Sequence, residues 1–255
     1  MKKILINGFL GKMGQSLISA IEASDKFETI FMVDLNSSPS PNSSANFNQV
    51  KKEIISEIDC VVDFSNSKGF IESSNFALAN KIPYVSGSTG YGNEDLKKLK
   101  ELQPHAGVGV ALCSNFSTGA ILLAHFGKIA SKYYDYAELI ESHHENKLDA
   151  PSGTAISIAD AVSNSKSESF KKVISSINKI KNTRGNDSAG VNIHSLRLPG
   201  VIARHELIFG AKGENLSILH NSSDRESFMP GILLAIDYVI KNKNFTIGLD
   251  KILGL

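Results

Sequence analysis

Residues 141–155 read ESHHENKLDAPSGTA. His143, His144 and Lys147 put two imidazoles and an ammonium within five consecutive residues, groups that carry protons and attract anions. The next stretch, Asp149-Ala-Pro-Ser-Gly-Thr, reads as the entry to a helix: Pro151 suits a first turn, and Ser152 or Asp149 can cap it. The amides of Gly153 and Thr154 would then sit at the positive end of that helix, where a carboxylate is favoured. The chemistry implied is delivery of a proton to an acidic ligand while something else supplies electrons. One condition follows from strand geometry. Successive residues of a strand point to opposite faces, so His143 and His144 share a pocket only if the coil after the strand reorients one of them.

The remaining histidines lack such company, and solvated surface groups are expected at His105, His125, His194 and His220. No metal site is expected: no His-x3-His helix face occurs, and no carboxylate ligands are obviously placed. A GxSxG nucleophile elbow is also absent.

The electron source is suggested at the N-terminus. KILIN (3–7) is a short apolar run, GFLGKMG (8–14) a glycine turn, QSLISAIEAS an apolar pattern at helical spacing, and ETIFMVDL a second apolar run ending in an acid. This order predicts strand, turn, helix, strand, the opening of a parallel βαβ unit. Gly8, Gly11 and Gly14 can make the tight turn and let backbone approach a pyrophosphate, although Leu10 stands where the usual G-x-G-x-x-G has a glycine. Asp34 ends the second strand 20 residues past Gly14, where an acid accepts hydrogen bonds from the ribose of NAD. Leu35 and Asn36 follow it rather than a base, so NADH is expected to be preferred; Lys12 keeps NADPH possible. Phe64-Ser65, Gly87-Ser88-Thr89-Gly90 and Cys113-Ser114-Asn115-Phe116 close three further apolar runs with small or polar residues, and together outline a crevice at the carboxyl ends of strands.

Strands alternating with helices up to residue 116 predict a mostly parallel sheet covered on both faces. Residues 36–49, rich in Ser, Asn and Pro, read as a surface loop. Beyond Asn115 the texture changes. TGAILLAHFGKIASKYY and SGTAISIADAVSNS read as helices and YAELIESHH as a strand, while 163–190 reads as a variable or mobile segment. GVNIHSLRL, ARHELIFGAK and ENLSILHNSS follow as strands joined by short turns, predicting an antiparallel or mixed sheet in a second domain. FMPGILLAIDYVI is a helix that returns to the first domain. The expected fold class is α/β: a Rossmann-type parallel-sheet dinucleotide domain (1–116 with 226–255) plus an α+β domain (117–225) with a mixed or antiparallel sheet.

The bulk properties agree. The chain has 255 residues, 42% hydrophobic and 21% charged, with a formal net charge of +1, which argues against a general nucleic-acid binder. No stretch approaches the length of a membrane span, and the apolar start breaks at Asn7-Gly8, too soon for a signal peptide. Cys60 and Cys113 form no framework, which suits a cytoplasmic protein.

ESHHENKLDAPSGTA resembles the E-x-H-H-x-x-K-x-D-A-P-S-G-T-A signature of the dihydrodipicolinate reductase family, with every fixed position present. GFLGKMG is similar to that family's G-x-x-G-x-M-G turn, GSTG and SNFS to its other cofactor turns, and SLRLPGVIARHELIFG and SSDRESFMPGILLA to its second-domain strands and last helix. The resemblance spans nearly the whole chain. It implies an NAD(P)H-dependent oxidoreductase of diaminopimelate and lysine biosynthesis, acting on a small dicarboxylate, typically as a homotetramer built through the second domain's sheet. It implies His143 as principal acid/base, Lys147 as proton donor, and His144, Gly153 and Thr154 as substrate-binding residues. It implies dinucleotide contacts from Gly8, Phe9, Leu10, Gly11, Lys12 and Met13, from Asp34, from Gly87, Ser88 and Thr89, and from Cys113, Ser114, Asn115 and Phe116. Three places depart from the pattern: Leu35, Arg204 before His205, and the 183–190 stretch. Two other readings remain: a Rossmann dehydrogenase acting on aspartate or diaminopimelate, and a non-catalytic dinucleotide sensor.

Overall fold

A computed structural model of the 255-residue chain describes every residue except Asn178, Lys181 and Asn182. The elements run β1 (Lys2–Asn7), α1 (Lys12–Glu22), β2 (Phe27–Val33), β3 (Ser43–Ser44), α2 (Lys52–Ile55), β4 (Cys60–Asp63), α3 (Ser67–Ala79), β5 (Tyr84–Ser86), α4 (Asn93–Ala106) and β6 (Val110–Leu112). They continue with α5 (Thr118–Ala130), β7 (Tyr136–His143), α6 (Gly153–Ser163), β8 (Asn186–Ser188), β9 (Val191–Arg197), β10 (Ala203–Ala211) and β11 (Glu214–Ser222). The chain ends with α7 (Met229–Lys241), β12 (Phe245–Ile247) and α8 (Leu249–Leu253). Two compact units result: Met1–Phe116 with Phe228–Leu255, and Ser117–Ser227.

The first unit is built on a seven-stranded sheet in the order β12-β6-β5-β4-β1-β2-β3, with every pairing parallel. Parallel strands joined by helices have both faces covered, and the sequence shows it: Ile4, Leu5 and Ile6 are successive and all fully buried. α1 packs with α7 and α3 with α4. Two features differ from the sequence reading. Ser43–Ser44, inside the expected 36–49 loop, pair with Met32 and Val33 as an edge strand. Phe245–Ile247, too short for a periodic signal, extend the opposite edge alongside β6.

The second unit carries a five-stranded mixed sheet, β11-β10-β7-β9-β8. α5 and α6 pack together and against it, closing a core of Leu139, Ile158, Val162, Leu207 and Phe209. The expected mixed sheet is found, with strands successive in the chain not always neighbours in it. β10 and β11 form an antiparallel hairpin, but β9 does not pair with β10. β7 lies between them, antiparallel to β10 and parallel to β9. A parallel pair cannot be joined by a hairpin, and α6 with the long connection after it supplies the crossover. The segment expected to be variable or mobile contains Asn178, Lys181 and Asn182, which lie outside the described residues, and it ends in the three-residue strand β8.

Candidate active site

In the first unit the glycine turn is fixed by steric need. Gly8 has φ +80°, and a Cβ there would lie 2.5 Å from the carbonyl oxygen of Phe64; a Cβ on Gly14 would lie 2.4 Å from the Gly8 carbonyl oxygen. Only glycine lets β1, the strand end at Phe64 and the start of α1 come this close. α1 begins at Lys12 with Gly11 as its N-cap and no side chain capping it, whereas α3, α5 and α6 are capped by Asn66, Ser117 and Ser152. A helix start without a side-chain acceptor suits an anion.

Asp34 faces this turn. Its carboxylate accepts the amide of Leu10 at 3.1 Å and that of Asn36 at 3.0 Å. A cavity of about 390 Å³ takes in Gly8, Leu10, Gly11, Asp34 and Phe64-Ser65. These residues fit the phosphates and ribose of a dinucleotide. The other predicted turns do not line that cavity but border it: a Cβ on Gly87 would strike the rings of Phe64 and Phe116 at 2.3 and 3.0 Å, and Phe64 and Phe116 meet edge to face at 5.6 Å. The Ser65 amide donates to Ser88 Oγ at 2.9 Å. Thr89 and Ser114 are exposed, Asn115 half-buried, and Phe9 and Met13 half-buried beside exposed Lys12. Cys113 is buried, and burial pushes its thiol up to about 12, so it is an inert packing group.

A fully buried carboxylate that the sequence reading passed over ties these strand ends together. Asn7, Asp63 and Ser86 stand in one row across β1, β4 and β5. Asp63 accepts hydrogen bonds from Asn7 Nδ2 (2.8 Å), Ser65 Oγ (2.5 Å) and the Ser65 amide (3.2 Å) on one oxygen. Its other oxygen accepts from Tyr84 Oη (3.2 Å) and Ser86 Oγ (2.8 Å).

In the second unit, His143 is the last residue of β7 and is buried. Its Nδ1 donates a short hydrogen bond to Glu141, two residues back on the same face of the strand. Glu141 is fully buried and also takes both terminal nitrogens of Arg197, at 3.0 and 3.1 Å. Burial alone would raise the Glu141 carboxyl, but hydrogen bonds from His143, Arg197 and Ser195 outweigh it and hold the group down at about 2. Arg197 also donates to the Asp149 carbonyl at 2.6 Å, and the Ser152 amide donates to Glu141 at 3.3 Å. The carboxylate therefore fastens the 149–152 segment to the strand that carries His143.

The chain reverses directly after His143. The Lys147 amide bonds back to the His144 carbonyl at 3.1 Å, and Lys147 Nζ reaches Asp149 at 2.7 Å. This turn gives His144, half-buried, a different setting from His143. Ser152 is the helix cap, its Oγ accepting the Ala155 amide at 3.1 Å; Pro151 lies ahead of it rather than in the first turn, and Asp149 serves Lys147 instead. Gly153 and Thr154 open α6, and a Cβ on Gly153 would meet nothing within 4 Å.

Three histidines outside the 141–155 stretch are engaged, and two of them, His194 and His220, depart from the solvated reading. His205 is 2% exposed and sits edge-on to His143 with ring centroids 5.4 Å apart; His220 stacks on its other side at 6.3 Å. His220 is half-buried and meets Ser117 Oγ at 3.1 Å. Burial and the neighbouring His143 and His220 push His205 down to about 4, with the charge of Lys147 acting in the same direction. His194 is also engaged, pairing with Glu138 at 2.5 Å. The available signal was period two: Glu141 and His143 are two apart in one strand, as are His220 and Ser222. Among the described residues, no group of three or more His, Cys, Asp or Glu is placed to hold a metal ion, and no helix is long and apolar enough to cross a membrane.

A glycine turn with a strand-end acid facing it on a parallel sheet, and a buried histidine on a second, mixed sheet, are the marks of a dinucleotide-dependent oxidoreductase of two units. Comparison with known proteins gives the family. Residues 2–116 match the family described as dihydrodipicolinate reductase, N-terminus, and residues 119–253 its C-terminus; the chain belongs to the dihydrodipicolinate reductase family. It is 35% identical to the 4-hydroxy-tetrahydrodipicolinate reductase of Dehalococcoides mccartyi strain CBDB1, covering 99% of this chain and 98% of that protein. It is 38% identical to the enzyme of that name from Streptococcus suis strain 05ZYH33, covering 98% and 99%. Among solved structures, a dipicolinate-bound dihydrodipicolinate reductase from Paenisporosarcina sp. TG-14 superposes with a TM-score of 0.88 at 29% identity, covering 98% of this chain and 99% of that one. An aspartate dehydrogenase from Thermotoga maritima shares the fold at a TM-score of 0.51 and 14% identity, covering 93% of this chain and 96% of that one.

Proposed function

We propose that the protein carries out, as a step of diaminopimelate and lysine biosynthesis, the reduction that the curated relatives' name describes, 4-hydroxy-tetrahydrodipicolinate to tetrahydrodipicolinate. The single observation that carries this reading is the buried His143, its Nδ1 fixed on Glu141, at the strand end fastened to the Ser152–Thr154 helix start. The reaction adds one hydride and one proton to the ring and releases one water. When bound at the glycine turn, NAD(P)H supplies the hydride. His143 acts as the principal acid/base through Nε2, the nitrogen not used on Glu141. Lys147 donates a proton from Nζ, exchanging Asp149 for a substrate carboxylate. His144 and the amides and hydroxyl of Gly153-Thr154 hold the substrate carboxylates; the open space at Gly153 supports close approach there.

Asp34 and exposed Leu35 favour NADH, because a 2′-phosphate would meet a carboxylate and no Arg. Lys12 leaves NADPH usable. Assembly as a homotetramer is supported by Leu196 and Leu219, exposed on the sheet face opposite the α5–α6 core. The two buried free thiols suit the cytoplasm.

The test is NADH oxidation with freshly generated substrate, against aspartate and diaminopimelate. Turnover only with the first supports the reading; turnover with either amino acid instead replaces it with an amino-acid dehydrogenase, and binding of NADH without any turnover replaces it with a sensor.

A further inference from the structure

Glu141 has no part in the acid/base steps above, yet it is the most enclosed ionised group of the second unit. Its carboxylate links three places: Arg197 at the end of β9, His143 at the end of β7, and the Ser152 amide at the start of α6. Register makes the row possible. His143 pairs with Arg197 across β7 and β9, and Glu141 pairs with His205 across β7 and β10. Arg197, His143 and Glu141 therefore emerge on one face, the core side of the sheet.

We infer that Glu141, held by Arg197, is the positioning residue for His143: it keeps a proton on Nδ1, orients the ring, and leaves Nε2 as the nitrogen that exchanges a proton with substrate. This deepens the proposed function and rests on it for the role of Nε2. An ionised carboxylate only accepts hydrogen bonds, so the ring nitrogen facing it carries the hydrogen. Against burial, the hydrogen bonds from His143 and then Arg197 keep Glu141 ionised. When the Nε2–H bond breaks, its electron pair stays on the ring and the proton passes to the substrate. The ring becomes neutral while Nδ1–H remains on Glu141.

The other groups around His143 fit this division. From β10, His205 presents a ring with neither nitrogen hydrogen-bonded among the described residues, and burial holds it neutral. From β11, His220 is also pushed down by burial. Lys147, after the strand, is neutralised by Asp149. Among the described residues, Glu141 is thus the one anion hydrogen-bonded to His143, and burial pushes the two neighbouring imidazoles toward their neutral forms.

The test is the pH dependence of kcat in the full chain carrying Glu141→Gln, with the tautomer of His143 read from imidazole ¹⁵N shifts without substrate. Loss of the anion lowers the affinity of His143 for its proton, so the basic limb of kcat is expected to move down by about one pH unit or more. kcat at neutral pH falls about 10–100-fold, as when an orienting partner is removed, with substrate KM little changed. Glu141→Asp restores the limb toward its original position. Because Glu141→Gln leaves Arg197 without its anion, Glu141→Gln/Arg197→Met provides a version with no stranded charge, expected to show the same shift.

An unmoved basic limb in either variant, or an Nε2–H tautomer in the unmodified protein, overturns the inference. That failure is distinct from failure of the proposed function: His143→Ala would still abolish turnover in the first case. Full turnover by His143→Ala would remove the functional reading and leave the tautomer measurement to decide the positioning role.

Discussion

Asp63 and Glu141 are both fully buried carboxylates near the carboxyl ends of strands, and the two sheets satisfy them in opposite ways. Asp63 is surrounded by neutral donors from Asn7, Ser65, Tyr84 and Ser86. Glu141 is held by a guanidinium and an imidazole. The first arrangement joins three strand ends beside the glycine turn through neutral donors. The second couples the carboxylate to a group whose protonation can change. A buried anion is costly in either setting unless its lone pairs are filled, so under the proposed function the choice of partner separates a scaffold from a working part.

The comparison breaks most visibly at the working part. His143→Ala and Lys147→Ala are each expected to lower kcat by at least ~10²-fold with NADH affinity little changed, checked by steady-state rates and fluorescence titration of NADH. Turnover unchanged in both would leave the second sheet with no special role. Asp63→Asn is the matching test of the scaffold. It turns one acceptor oxygen into a donor amide facing donors, and is expected to cost about 1–3 kcal/mol in urea unfolding. It should weaken NADH binding while the pH profile of kcat stays in place; a shifted profile would erase the distinction between the two carboxylates.

Acid stability sharpens the same contrast. His205 binds its proton near 6.5 when unfolded and near 4 when folded, so the unfolded chain takes up the proton first and stability falls as pH drops from 6.5 to 4. Below that, Glu141, ordinarily near 4.5 and held at about 2, loses its contribution as pH falls through the lower value. Replacing His205 by Phe should flatten the upper window, worth on the order of 3 kcal/mol, and leave the lower one. Urea midpoints from pH 7 to about 2 read both. The smallest effect is expected at the ribose: Leu35→Arg should raise kcat/KM for NADPH relative to NADH by roughly 2–5-fold, the worth of an exposed ion pair.

What the sequence disclosed was what local chemistry dictates. The glycine turn could be read because Gly8 and Gly14 have no room for a side chain. The Ser152 cap and the reversal after His143 lie within a few residues of the groups they serve. Glu141, Arg197, His205 and His220 were not read as parts of the site, because their meaning depends on which strands are neighbours. Placing β7 between β9 and β10 brings Arg197 and His205 to either side of Glu141 and His143, a pairing separated by more than fifty residues. A short-turn succession of β9 and β10 would have parted them. Asp63 escaped notice because a single Asp at a strand end is ordinary until Asn7 and Ser86 are seen in its row. β12 is three residues long and gains its strand character only from β6.

The central claim is that the imidazole of His143 and the ammonium of Lys147 act on one dicarboxylate ligand. Crystals of the full chain with pyridine-2,6-dicarboxylate and NADH test it most directly. The expected result places His143 Nε2 and Lys147 Nζ within about 3.5 Å of the ligand, with Lys147 withdrawn from Asp149. A ligand bound with full occupancy away from both nitrogens, with Lys147 still on Asp149, would contradict it.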